Sequence, residues 1–173
     1  MSVNETGKEL LQQLKAYQEI LKEISEEDFV LSPAPGSWSF SEVYCHITHV
    51  NKLSLLAIEK CLHGKQSAGN YTLPILSRII LFVGKFPPFK IKVPPGPASS
   101  IKKISREDAR NELIKLGHRL DTTLSKMARS SSHCRIKHPR LGMLNSEQWL
   151  QFMSIHTRHH LKQITKIKKT IKK

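Results

Sequence analysis

Apolar residues recur at three- and four-residue steps along four long stretches of this 173-residue chain, and no strand-like alternation competes with them. Such spacing gathers each set on one helical face, which is stable only when another element covers it. The first stretch runs from about Asn4 to Ile24, with Leu10, Leu11, Leu14, Tyr17, Leu21 and Ile24 on its stripe. Glu23, Glu26, Glu27 and Asp28 close it, and Pro33, Pro35 and Gly36 forbid continuation. The second begins at Ser39, where Ser39-Phe40-Ser41-Glu42 reads as a capping box: hydroxyl and carboxylate each satisfy a free backbone N–H. Val43, His46, Ile47, Val50, Leu53, Ala57 and Ile58 form its expected buried stripe, and Gly64 its stop. The third opens at Ser105, carries Ala109, Leu113, Leu116, Leu120, Leu124 and Met127, and ends at the 130–132 serine run. A loop over 133–144 leads to the fourth, from about Ser146 to the end, with Trp149, Phe152, Met153, His156, His160, Gln163, Ile164 and Ile167 on one face.

Residues 64 to about 104 break the pattern. Leu73-Pro74-Ile75-Leu76 opens a short helix reaching Val83, and Pro87, Pro88, Pro94, Pro95 and Pro97 then impose an extended run. The segment has no acid between Glu59 and Glu107 but nine bases. We read it as a long crossover rather than a second domain. The expected fold is therefore all-α, one domain over residues 1–173: a four-helix bundle with a long, proline-rich, basic crossover between helices two and three.

The chain carries 28 basic and 14 acidic residues, a formal charge of +14. Such a balance attracts anions without choosing among phosphates, acidic metabolites, anionic lipid and nucleic acid. The start lacks a basic region followed by an apolar one, so no secretory signal is expected. The longest apolar run, Leu73 to Val83, is interrupted and too short to span a bilayer. Three cysteines, Cys45, Cys61 and Cys134, are odd in number and form no CxxC, which fits reduced thiols and a cytoplasmic location.

Nine histidines invite a metal reading, and position decides which ones qualify. His156 and His160 are four residues apart, one turn along the same face, so two imidazoles can reach one cation. Their face is the apolar one. His46 holds a similar position on the second helix, between Val43 and Val50. Three inward imidazoles are costly unless something takes their lone pairs, which a divalent metal does. A hydrogen-bonded core histidine is the structural alternative for each. No HExxH is present, and Thr157, Arg158 and His159 between the pair bring no carboxylate, so the general base of zinc proteases is missing.

Trp38-Ser39-Phe40-Ser41-Glu42-Val43-Tyr44-Cys45-His46 resembles the W-S-x-x-x-V-x-x-H opening of the second helix in the DinB-like (DinB/YfiT) superfamily. His138 to Leu144, Trp149-Leu150-Gln151-Phe152 and His156 to Ile164 resemble that family's last loop and helix. The resemblance implies a four-helix bundle with a three-histidine site for a divalent metal, nickel or zinc, and by position makes His46, His156 and His160 the ligands. It also implies candidate chemistry: a metal-dependent transferase or hydrolase acting on a small molecule, with a low-molecular-weight thiol as co-substrate in some relatives. A metal-held thiol attacking an electrophile is the preferred mechanism. Members of that family are often dimers, so a homodimer is the expectation for assembly.

Other candidates carry two readings each. Gln163, one turn beyond His160, either holds a ligand's second nitrogen or is a core amide. His49, one turn after His46, is a partner to the site or a surface residue. His159 should face solvent, and Cys45 should be a buried, inert thiol. His133, Cys134 and His138 have donor atoms for zinc but no fourth ligand at normal spacing. Phe82, Phe86 and Phe89 could roof a pocket or pack on the bundle. Residues 1–59 hold nine acids and four bases, and residues 122–173 one acid and twelve bases. That electropositive end would steer an anionic substrate, or it is a solvated lysine tail. The functional alternative from another class is a non-catalytic binding module whose basic surface meets nucleic acid or an anionic membrane. No nucleic-acid-binding motif is visible, and 6% aromatic residues leave few stacking platforms.

Overall fold

The computed structural model describes residues 2–64, 71–87, 101–129 and 134–171. Within them lie α1 (Val3–Lys22), α2 (Glu26–Val30), α3 (Phe40–His63), α4 (Ile75–Val83), α5 (Arg106–Met127), the strands β1 (Ile136–His138) and β2 (Gly142–Leu144), and α6 (Ser146–Ile171). The four long helices form the bundle. The expected elements at Phe89, at Pro88, Pro94, Pro95 and Pro97, at the 130–132 serine run and at His133 lie outside the described residues.

Helix starts follow local chemistry. Ser2 with Glu5 and Ser39 with Glu42 both make complete capping boxes. Ser105 accepts from the Asp108 backbone N–H. Asn145 and Gln148 do the same reciprocally for α6: the Gln148 N–H donates to Asn145 Oδ1 at 2.8 Å and the Asn145 N–H to Gln148 Oε1 at 3.1 Å. The first stretch is shorter than its periodicity suggests. It stops at Lys22, because Ser25 caps a separate short helix, α2, whose Phe29 is fully buried against Tyr44.

The packing order differs from a simple up-and-down bundle. α6 packs on α1 and α3, and α5 packs on the same two helices from the other side. Chain neighbours α1 and α3 therefore sit across one diagonal, and α5 and α6 across the other. α2 carries the chain between α1 and α3. The crossover returns to α3 where Ser41 Oγ donates to the Ile104 carbonyl at 2.7 Å and accepts from its N–H at 2.6 Å.

The loop expected over 133–144 holds a two-stranded antiparallel hairpin, with Ile136 opposite Leu144 and His138 opposite Gly142. Three-residue strands are too short to display alternation, which is why the sequence did not announce them. Two devices close the turn. Gly142 adopts a positive φ of 88°, which a side chain would resist. His138 Nδ1 accepts from the Arg140 and Leu141 N–H groups at 3.1 and 3.0 Å.

Two further expectations need correction. Leu53, placed on the buried stripe of α3, is 52% exposed. The true inner face is rotated toward Tyr44, Ile47, Asn51, Leu55 and Ile58, all fully buried. A count of apolar residues misses it because Thr48, Asn51 and Ser54 share that face. Cys45, expected inside, is half-buried for the same reason.

α6 is held at a defined height against its neighbours by buried polar bonds. Asn51 Nδ2 donates to Thr157 Oγ1 at 3.0 Å, and both residues are fully buried. Tyr17 Oη donates to the Thr157 carbonyl at 3.1 Å, and Tyr44 Oη to the Tyr17 carbonyl at 2.7 Å. Gln13 Nε2 donates to Ser154 Oγ, which donates to Glu9. Asn51→Ala should therefore strand the Thr157 hydroxyl and open a small void, lowering stability by about 2–3 kcal/mol. A urea denaturation midpoint unchanged from the parent would contradict this.

Candidate metal centre

His46 comes from α3 and His156 and His160 from α6, and the three rings meet. Their candidate ligand nitrogens all lie within 4.8 Å of one another. Ring centroids are 5.0 Å apart for His46 and His156, 4.7 Å for His46 and His160, and 4.6 Å for His156 and His160. Nε2 of His46 stands 3.1 Å from Nε2 of His156. Two nitrogens bound tetrahedrally to one zinc ion would be roughly 3.3 Å apart, given zinc–nitrogen bonds near 2.0–2.1 Å.

Burial keeps these rings neutral. Desolvation first, and the neighbouring His49 second, push His46 down to about 4. Desolvation and then His46 push His160 down to about 3, against a smaller opposing effect of Gln163. His156 is lowered well below the ordinary range, by desolvation and then by its two partners. Each ring therefore offers a lone pair at neutral pH. A shared proton could satisfy His46 and His156 as an N–H···N pair, but His160 would bring a third lone pair with no proton to meet. One cation serves all three, so the donor set fits a divalent metal.

The surroundings orient the rings. His160 Nδ1 donates to Gln163 Oε1 at 2.7 Å, which leaves Nε2 as the lone-pair nitrogen. Gln163 therefore touches the second nitrogen of the His160 ring. Nδ1 of His156 is buried without a hydrogen-bond partner among the described residues. Trp38 stacks on His160, with centroids 6.2 Å apart and planes 11° apart, and leans on His46 at 5.2 Å. Phe152 stacks on His156 at 5.3 Å. Phe86 meets His156 edge-on at 6.3 Å and His159 at 5.4 Å. Phe86 thus covers one side of the cluster, whereas Phe82 faces solvent at 93% exposure.

Trp38 and Phe152 were not singled out as site residues by sequence reasoning. Trp38 stands in the same motif as His46, which was the available signal. Phe152 lies one turn before His156, and helical spacing alone could have placed it there.

His46 sits at the flank of the buried face of α3, about a third of a turn from its centre, and is only half-buried. The cluster is therefore reachable. A cleft of about 510 Å³ opens beside His160, lined among others by Trp38, Gln163, Lys166, Ile167 and Thr170. The Lys166 ammonium is the charged group on that wall.

Four further histidines are sequence candidates outside the three-residue cluster. His49 is exposed, and His159 is exposed as expected, although its ring edge approaches Phe86 and His160. His138 is 8% exposed, wedged between Trp149 and Phe152, and its Nδ1 is spent on the hairpin turn. That removes it from the 133–138 zinc alternative, and His133 lies outside the described residues. Cys134 is buried beside the end of α3, and burial with the nearby Cys134 pushes the Cys61 thiol up to about 12. Such a thiol is inert at neutral pH.

Comparison with known proteins follows the same lines. The sequence profile of the DinB superfamily matches residues 9–164. The chain is 25% identical over 153 residues to the uncharacterised protein YuaE of Bacillus subtilis (strain 168), covering 88% of this chain and 91% of that one. Its fold resembles YfiT from Bacillus subtilis, described as a probable metal-dependent hydrolase with an unusual four-helix bundle topology. The TM-score is 0.67 at 12% identity, covering 99% of this chain and 90% of that one. It also resembles TT2238, a four-helix bundle protein, with a TM-score of 0.56 at 18% identity over 95% and 98% of the two chains.

His138 provides a pH test at a ring outside the cluster of three. Burial, then Arg140, lowers it from 6.5 to about 4. As pH falls the unfolded chain takes the proton first, so this contribution is intact above about 6.5 and drains away down to about 4. His138→Asn keeps an acceptor for the turn but cannot titrate. Its stability should fall less steeply than the parent's across that window, by on the order of 3 kcal/mol in total. Parallel pH curves from thermal melts would refute the assignment.

Proposed function

The chain belongs to the DinB superfamily, and from that premise we propose that it is a metal-dependent enzyme acting on a small molecule, by hydrolysis or thiol S-transfer. The observation that carries this reading is the convergence of three neutral imidazoles from two helices beside an open cleft. The description of its structural neighbour YfiT as a probable metal-dependent hydrolase supports the same class.

His46, His156 and His160 would hold the ion. A divalent cation bound there supplies Lewis acidity and lowers the pKa of a water or thiol brought to it. Everything else falls to the chain's own side chains. Gln163 fixes the His160 tautomer through its 2.7 Å hydrogen bond. Trp38 and Phe152 stack on the rings and limit their rotation, and Phe86 shields His156 from one side. Three protein nitrogens leave room in the coordination sphere for a reactant, as catalytic sites require and closed structural sites do not. Lys166 on the cleft wall favours a substrate bearing an anionic group. No carboxylate joins the three histidines in the cluster among the described residues. Hydrolysis and S-transfer both remain compatible with that set, because a thiol or water activated at the site needs no glutamate.

Metal analysis decides the matter. Protein prepared with excess zinc or nickel and then desalted should retain about one equivalent. His156→Ala should retain less than about a tenth of an equivalent while keeping the parent's helical circular dichroism. The parent should hydrolyse an ester panel or consume a low-molecular-weight thiol in the presence of an electrophile, and a chelator should abolish this. Metal-replete parent holding less than about a tenth of an equivalent would overturn the reading. Gln163→Leu leaves the three ligands in place but frees the His160 ring, so metal affinity by competition with a chromophoric chelator should weaken roughly 10–100-fold. An unchanged affinity would reduce Gln163 to a bystander.

A further inference from the structure

α4 is amphipathic in the reverse of the usual sense. At about 100° per residue, Ile75, Leu76, Ile79, Phe82 and Val83 share one face, with Ser77 and Ile80 opposite. The face that packs inward is the one carrying the serine: Ser77 and Ile80 are each 2% exposed. The outer residues are 75% (Ile75), 43% (Leu76), 52% (Ile79), 93% (Phe82) and 56% (Val83) exposed. A contiguous apolar surface of this kind marks an interaction site in a folded protein.

The helix is held in that orientation at both ends. Gly84 stops it in a left-handed conformation, φ 68°, and the Gly84 carbonyl accepts from Arg158 Nη2 at 2.6 Å. Arg158 is paired in turn with Glu9 of α1. At the other end Pro74 lies close against Gly142 of the hairpin. The apolar face is thus presented by a built clamp.

The charged residues within α4 and just after it are basic. Arg78 flanks it next to Phe82, and Lys85 follows the helix. Lys137 and Arg140 are exposed on the hairpin that Pro74 touches. The chain has no acid from residue 60 to 106, and Glu9, which reaches this end of the helix through Arg158, is already paired. A second copy of the chain would bring these bases and two net charges of +14 together. A surface of anionic lipid neutralises them and accepts the apolar side chains. Nine residues of helix are about 13 Å long, too short to cross a bilayer but suited to lying in its interface. None of the described helices is long and apolar enough to span a membrane.

We infer that α4 is a docking helix for an anionic membrane surface, with Ile75, Ile79 and Phe82 entering the acyl boundary and Arg78 and Lys85 meeting headgroup phosphates. The attachment is peripheral and reversible, and it is separate from the histidine cluster.

Sedimentation of the full chain with phosphatidylcholine vesicles, with and without roughly a third phosphatidylglycerol, tests this at about 0.1 M salt. The parent should pellet with the anionic vesicles, less so as salt rises, and not with the neutral ones. The double variant Ile79→Ser/Phe82→Ser should lose at least about tenfold in partitioning with only a small change in Tm, because Phe82 is 93% and Ile79 52% exposed. Arg78→Glu and Lys85→Glu should each lower it by about fivefold or more. Absence of parent binding, or binding that the Ile79→Ser/Phe82→Ser variant leaves intact, would overturn the proposal. So would a dimer dissociated by that variant without vesicle binding, which assigns the face to a second copy. A lower Tm in the variant without vesicle binding would assign it to cover within the chain.

Discussion

The structure depends on the register between α3 and α6, and that register is set by a buried polar pair. Asn51 and Thr157 are fully enclosed and bond to each other across the helix interface. Sliding either helix by one turn would leave an amide and a hydroxyl unpaired in an apolar interior, each at about 1–3 kcal/mol. Apolar contacts would tolerate such a slide far better. Thr157 adjoins His156, and Asn51 lies little more than a turn beyond His46. The same bond therefore fixes how high His46 stands against the α6 histidines, and Tyr17 repeats the constraint from α1.

Desolvation then sets the chemistry. Placed in water, three imidazoles this close would titrate near neutrality and one would carry a proton much of the time. Enclosed by Trp38, Phe86 and Phe152, all three are pushed toward the neutral form. Neutral rings repel less and bind metal better. The enclosure is incomplete on one side because His46 lies at the edge of its helix's buried face. The flank position leaves the cleft beside His160 as an approach.

The crossover contributes at two levels. Its helix α4 is pinned to α6 by Arg158, whose guanidinium reaches both Glu9 and the Gly84 carbonyl. The chain leaving Gly84 then places Phe86 over His156. One arginine on the site helix thereby couples the aromatic cover of the cluster to the helix that shows its apolar face outward. Arg158 stands between His156 and His160 in sequence, where a metalloprotease of the HExxH type would use the interval differently.

Much of this was written locally in the chain. The capping serines, the breakers after Lys22 and the three-and-four spacing dictate where helices start, stop and turn their apolar sides, because backbone N–H groups and apolar side chains act within a few residues. The i, i+4 pair His156 and His160 belongs to the same class of information. That His46 turns inward was legible from the spacing of its own helix, and the motif resemblance added that it meets His156 and His160, since nothing within one helix says which partner it faces. Other features belong to tertiary structure alone. The inner face of α3 was misread at Leu53 because the residues that define it, Thr48, Asn51 and Ser54, are polar and become interior only when α6 supplies their partners or the helix backbone takes up their hydroxyls. The hairpin over Ile136–Leu144 has strands too short for periodicity and is held by His138 and Gly142. The diagonal placement of consecutive helices, and the outward face of α4, follow from which surfaces were left once the long helices had packed. Sequence determines what each segment can bury. Only the assembled bundle determines what it does bury, because burial is a property of pairs of surfaces.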